Sequence, residues 1–206
     1  MTAINVLCQG ARGLMLTDTS GYDKQGICRE WRSKAVTLPH AATVVAARGA
    51  HMSTISVYDC CHDCDGYNEM RATISERLLK AFAWNTQQDR SYGLDVIALG
   101  WSEKERCVKS FFACNEDGFL PHDCDCQLAP LLSPEEVKSA GVNPAKFDHG
   151  ERDLLRIMDY QRRNNPGQIG GAAVLTIVTE TTITQQVIHR WPDKRGEKIA
   201  SAQSCA

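Results

Sequence analysis

Two groups of residues in this chain have types and spacings that could do chemistry. The first is Thr2, directly behind Met1 and at the head of AINVLCQGARGLMLTD. A threonine hydroxyl is a weak nucleophile at neutral pH and needs a base beside it; the α-amine of the same residue can be that base once Met1 is removed. Unperturbed, such an amine titrates near ~7.7–8.0. Asp18 closes the same stretch. Antiparallel pairing about a turn at Gly10-Ala11 matches positions whose numbers sum to roughly 20–21, which sets Asp18 opposite Thr2 or within a residue or two of it. The second group is rich in sulfur: Cys60, Cys61, His62 and Cys64 in DCCHDCDG, and His122, Cys124 and Cys126 in PHDCDC. Cys61 and Cys64 have zinc-ligand spacing, and thiolates with imidazole suit zinc. Asp63, Asp65, Asp123 and Asp125 would add charge to any such site. The two sulfur groups lie about 60 residues apart, so only the fold could join them. Buried thiols and polar loops are the plainer reading, and the expectation is no metal and no cofactor.

Composition narrows the classes. With 206 residues, 43% of them hydrophobic, the chain can bury one good core, whereas two domains would each be small. A formal net charge of −2 argues against a broad nucleic-acid surface. No apolar run approaches the roughly 18 residues of a membrane span. No basic segment followed by an apolar one opens the chain, so no secretory signal is read. Ten cysteines fall short of a disulfide scaffold, which needs roughly 8–10%. The expectation is reduced thiols and a cytoplasmic protein.

The elements that must hold these residues follow from periodicity. Ile4, Val6 and Cys8 alternate with Asn5 and Leu7, a strand signature. Two glycines in QGARG reverse it into Leu14–Thr17. A second hairpin runs in through Ala35–Leu38, turns at Pro39 and His40, and returns through Thr43–Ala47. Met52, Ile55 and Tyr58 are spaced for a short helix, and Met70, Ile74, Leu78 and Phe82 form the stripe of a longer one. LDVIALGW and RCVKSFFAC read as strands, closed by Asn115–Gly118. Ser133 can cap a helix, with Pro134 in its first turn, Glu136 completing a capping box and Gly141 stopping it. A further helix is predicted from Asp148, with Glu151 at the box position, until NNPG breaks it. AAVLTIVT and ITQQVIHRW are the last strands. Gln161-Arg162-Arg163 reads as a solvated helix end, and Trp31, Trp101 and Trp191 as packing residues near strand ends. His40, His51, His149 and His189 read as surface or satisfied histidines. Strands and helices in blocks, joined by hairpins, argue for an α+β fold with antiparallel sheets. One domain is expected over 1–193, with 194–206 a polar, flexible tail.

This order resembles the N-terminal nucleophile (Ntn) hydrolases, in particular the proteasome β-type subunits and their bacterial relatives. The similar features are a Thr opening the first strand, Gly10 in the first turn and Leu16-Thr17-Asp18 closing the second strand. Lys34 in SKAVTL, Gly49 in VVAARG, LDVIALGW and IGGAAVLTIVTE extend the likeness over most of the chain. The resemblance implies a four-layer αββα sandwich, two antiparallel sheets between helix layers. It implies Thr2 as nucleophile, its own amine as base, Asp18 and Lys34 as the groups that set the local electrostatics, and the backbone at Gly49 as an oxyanion donor. A lysine cation lowers the pKa of a nearby amine, Asp18 would hold Lys34 charged and oriented, and a glycine lets a carbonyl approach the backbone closely.

The chain departs from the family in three places. Thr19-Ser20 stands where an Arg usually lies two residues after the aspartate. Pro166 and Ile169 replace an Asp and a Ser before the closing Gly-Gly pair. PHDCDC replaces a Ser-Gly turn. The resemblance therefore implies either a threonine hydrolase of amide or peptide bonds, or a catalytically inactive proteasome-like protein that self-assembles or binds a partner. A zinc-stabilised regulatory module is a third reading. The partners expected are further copies of the chain and a peptide or small amide, with neither nucleic acid nor membrane.

Overall fold

A computed structural model describes residues 2–49, 53–85 and 93–199. Met1, His51 and Met52 lie outside that description, as do the side chains of Ile55 and Phe82. The fold is α+β, and the paired strands are antiparallel throughout.

One five-stranded sheet has the order β10-β1-β2-β11-β12. Its strands are β1 (Ile4–Gln9), β2 (Arg12–Asp18), β10 (Cys126–Ala129), β11 (Ala172–Thr179) and β12 (Ile183–Arg190). The second has the order β5-β6-β7-β8-β9, from β5 (Ala35–Leu38), β6 (Thr43–Arg48), β7 (Asp95–Ser102), β8 (Cys107–Cys114) and β9 (His122–Asp123). A short ribbon pairs β3 (Ser20–Tyr22) with β4 (Cys28–Trp31). The described helices are α1 (Ser53–Cys61), α2 (Tyr67–Asn85), α3 (Pro134–Ser139) and α4 (Glu151–Asn164).

Strand alternation explains how the sheets stack. In β1, Ile4 and Val6 join Met15 of β2 and Val44, Ala46, Ile97 and Leu99 of the second sheet in one apolar cluster. On the opposite face Leu7, Leu14 and Leu16 pack with Leu154 and Met158 of α4. The second sheet repeats the scheme: Val96 and Ala98 turn away from Ile97 and Leu99 to meet Met70, Ile74 and Leu78 of α2. Both faces of the central strands are thus apolar, which is why LMLT and DVIAL read as nearly unbroken hydrophobic runs.

The predicted hairpin over residues 35–47, the capping box at Ser133 and the stop at Gly141 appear as expected. Several expectations need correction. Helix α4 begins at Glu151 rather than Asp148; Gly150 is its N-cap, and the Asp153 carboxylate reaches back to the backbone N–H of His149. Tyr58 points outward, and Trp31 is 43% exposed with one ring edge against Gly171. Gln161 and Arg162 are buried, not solvated. Gln161 exchanges amide hydrogen bonds with Asn5, and only Arg163 of that run faces solvent. Strands β3, β4, β9 and β10 are too short or too polar for periodicity to mark. The polar segment from Lys194 is held as far as Ile199: Cys28 N–H donates to Glu197, Gly196 N–H to Cys28, and Ile199 N–H to Gly26. Ile199 itself is buried.

Candidate active site

The β1–β2 register pairs Ile4 with Thr17, so position numbers sum to 21 and Asp18 falls opposite Ala3, one residue from Thr2. The Asp18 backbone N–H donates to Ala3 O, and Ala3 N–H donates to Asp18 Oδ1 at 3.0 Å. The chain then turns through β3 and β4 and enters β5, whose pairing with β6 in the second sheet fixes Lys34 just ahead of Ala35. Lys34 Nζ lies 2.7 Å from Asp18 Oδ1, and both side chains are buried.

Asp18 is the hub. Oδ1 accepts from Lys34 Nζ and Ala3 N–H, while Oδ2 accepts from Ser20 Oγ at 2.8 Å, Ser20 N–H at 3.2 Å and Gly170 N–H at 3.2 Å. Five donors converge on one carboxylate, as a buried anion requires. Burial lowers the pKa of Lys34 below the ordinary lysine value; the Asp18 carboxylate works in the opposite direction, Arg32 adds to the lowering and Cys28 opposes it.

Thr2 is itself buried and lies on the wall of a cleft of about 860 Å³. Gly49, at the end of β6, borders the same cleft, as do Ser20, Tyr22 and Glu116. Arg48 and Asp95, paired between β6 and β7 at 2.8 Å, border it too. The structure thus brings Asp18 and Lys34 into contact beneath the first residues of β1, with Thr2 and Gly49 on one cleft beside them.

Sequence reasoning missed Ser20 and the Gly170 amide. Ser20 was legible in part, because a carboxylate accepting from the N–H two residues on is an Asx turn, and Asp18-Thr19-Ser20 carries that spacing. Gly170 is 152 residues from Asp18 and has no local signal. The Gly-Gly pair is required by close approach: a Cβ on Gly170 would lie 2.5 Å from Asp193 Oδ2, and one on Gly171, at φ +79°, would lie 2.5 Å from Thr19 Oγ1.

The sulfur groups are not joined. Cys61 and Cys64 sit in the core between α1, α2 and the second sheet, whereas Cys124 contacts Ser110 beside Cys8. Burial pushes the Cys8 and Cys61 thiols up to about 12. Among the described residues no group of three or more His, Cys, Asp or Glu could hold a metal ion. No described helix is long and apolar enough to cross a membrane.

No family model matches this sequence, and no curated protein does. Among solved structures of similar fold is the Anbu (Gly-1) mutant from Hyphomicrobium sp. strain MC1, with a TM-score of 0.73. The match covers 92% of this chain and 87% of that one at 13% identity. This chain shares its fold with that protein. At that identity the likeness is one of fold alone, and function must be argued from the site.

Proposed function

We propose that this chain is a proteasome-like N-terminal threonine hydrolase that cuts amide or peptide bonds through Thr2 after Met1 is removed. The observation that carries the reading is the buried Asp18–Lys34 pair, which also bonds the backbone of Ala3, the residue joined to Thr2. In this reaction the Thr2 α-amine takes the hydroxyl proton as Oγ1 attacks the substrate carbonyl. The tetrahedral oxyanion is held by backbone N–H at Gly49. Collapse breaks the C–N bond, the proton passes to the departing amine, and an ester on Thr2 remains. Water, with its proton taken by the same α-amine, then hydrolyses that ester and restores the hydroxyl. Lys34 tunes the amine electrostatically, and Asp18 fixes Lys34.

The two-faced burial of β1, β2 and β7 supports a four-layer arrangement, with α1 and α2 on one side and α4 on the other. We place this hydrolase in one domain that takes in the C-terminal segment as far as Ile199, in the cytoplasm and in a ring of its own copies, the usual setting of the family it resembles.

The test is a β-lactone, whose ring opens onto a nucleophilic hydroxyl to leave an ester. One adduct per chain on Thr2, lost in Thr2→Ala, supports the reading. The second reading, an inactive proteasome-like assembly or binding protein, rests on Pro166 and Ile169 standing where the family carries an Asp and a Ser. It predicts no adduct from a chain that begins at Thr2.

A further inference from the structure

The loop that closes onto Asp18 is gripped from its other side by an ion pair far from it in sequence. Asp193 Oδ1 accepts from Arg162 Nη2 at 2.7 Å, and Oδ2 accepts from Arg162 Nη1 at 2.8 Å and from Gly171 N–H at 2.8 Å. Arg162 Nη1 also donates to Ile169 O at 2.5 Å, and its guanidinium lies 5.2 Å from the Trp191 ring centre. Both charged side chains are buried, at 4% and 0% exposure. Between the two grips lie only Ile169, Gly170 and Gly171. On the site side, Gly170 N–H donates to Asp18 Oδ2, and Gly170 O accepts from the backbone N–H of Thr19 and Ser20. Helix α4 and the segment after β12 are thereby tied to the carboxylate that holds Lys34.

We infer that Arg162 and Asp193 are a positioning pair for the Thr2 site, setting the Ile169–Gly171 peptides so that Asp18 is aimed at Lys34 and the start of β1. The inference rests on the reading of Thr2 as nucleophile. In this chain the pair does from α4 and the C-terminal segment what Pro166 and Ile169 cannot do from within the loop. A proline has no N–H and an isoleucine side chain no polar atom. A fork that bonds a carboxylate in two places and a carbonyl in a third fixes geometry in a way a lysine point charge does not.

The experiment uses the full chain processed to Thr2, with β-lactone labelling followed by intact mass and Lys34 titrated by NMR through its side-chain signals. Two variants are compared, Asp193→Asn and the double variant Arg162→Met/Asp193→Leu, with Arg163→Gln as a control on the exposed part of the same helix end. The double variant removes one charge of each sign, so no buried charge is stranded and the net field on Lys34 changes little. A displacement of about 1 Å can cost roughly 100-fold in rate, so a fall of about tenfold or more in the labelling rate constant is expected in both, with the half-saturating lactone concentration little changed. A purely structural loss would lower the fraction of chain labelled and leave the rate constant of the folded fraction alone. The Lys34 titration is expected to move to lower pH in both variants, because Asp18 is the group that raises it; Arg32 and Cys28, which also face Lys34, are untouched. Wild-type rate constants and an unmoved Lys34 titration in the folded double variant would overturn the inference. If the wild-type chain takes no label, the nucleophile reading fails, and the Lys34 titration alone then decides whether the pair positions Asp18.

Discussion

Asp18→Asn is the sharpest perturbation of the hub. The Asp18 carboxylate accepts five hydrogen bonds, one from a buried ammonium at 2.7 Å. An asparagine in the same pose keeps one acceptor oxygen and turns an NH2 group toward donors. Either Lys34 and Ala3 N–H, or Ser20 and Gly170 N–H, must then face another donor. Removing one partner of a buried ion pair costs about 3–5 kcal/mol. For a chain of this size each kcal/mol moves the melting temperature by about 2–4 °C. The expected fall is therefore roughly 6–20 °C, measured by differential scanning calorimetry at pH 7. Lys34→Met in the Asp18→Asn background should recover part of the loss, because the stranded cation is gone. That non-additivity is the coupling between the two residues. An Asp18→Asn protein melting within about 2 °C of wild type would refute the claim that this pair is a tightly held, desolvated hub.

Three further outcomes follow from the same contacts. Ser20→Ala removes the hydroxyl donor to Asp18 Oδ2; a hydrogen bond to a charged group is worth about 1.5–3 kcal/mol, and urea midpoints should register a loss in that range. Lys34, whose folded pKa lies below its ordinary 10.5, binds fewer protons folded than unfolded between those two values. Its contribution to stability therefore rises with pH across that window, and urea titrations at pH 7 to 10.5 should show wild type gaining on Lys34→Met; parallel curves would contradict it. In Gly13→Ala a new Cβ would sit 2.5 Å from Val108 Cγ1 in the facing sheet, and overpacking of this kind costs about 1–3 kcal/mol, so the variant should melt several degrees lower.

What the sequence made legible divides along physical lines. Ile4–Gln9 and Asp95–Ser102 have alternation strong enough to declare themselves, and Gly10 and Ser133 mark a turn and a cap through local backbone chemistry. Hairpin arithmetic set Asp18 beside the first residues of β1, whereas its contact with Lys34 was reachable through the family likeness alone. Arg162 was misread because a charged pair at a helix end ordinarily faces water; its burial depends on Asp193, 31 residues on, which no local pattern links to it. Gln161 was misread for the same reason, since its partner Asn5 is 156 residues away. The start of α4 was set three residues early because Asp148 and Glu151 imitate a capping box, whereas Asp153 satisfies the free N–H of His149. Strand β9, with two exposed residues, has no periodicity to read.

The central claim is that Thr2, freed of Met1, is a nucleophile set beside the Asp18–Lys34 pair. Intact mass spectrometry of the purified chain before and after β-lactone treatment tests it most directly. The account predicts a mass that begins at Thr2, a single added lactone mapped to that residue, and no addition to Thr2→Ala or Lys34→Met. A chain that begins at Thr2 and stays unmodified, or an adduct that persists in Thr2→Ala, would contradict it.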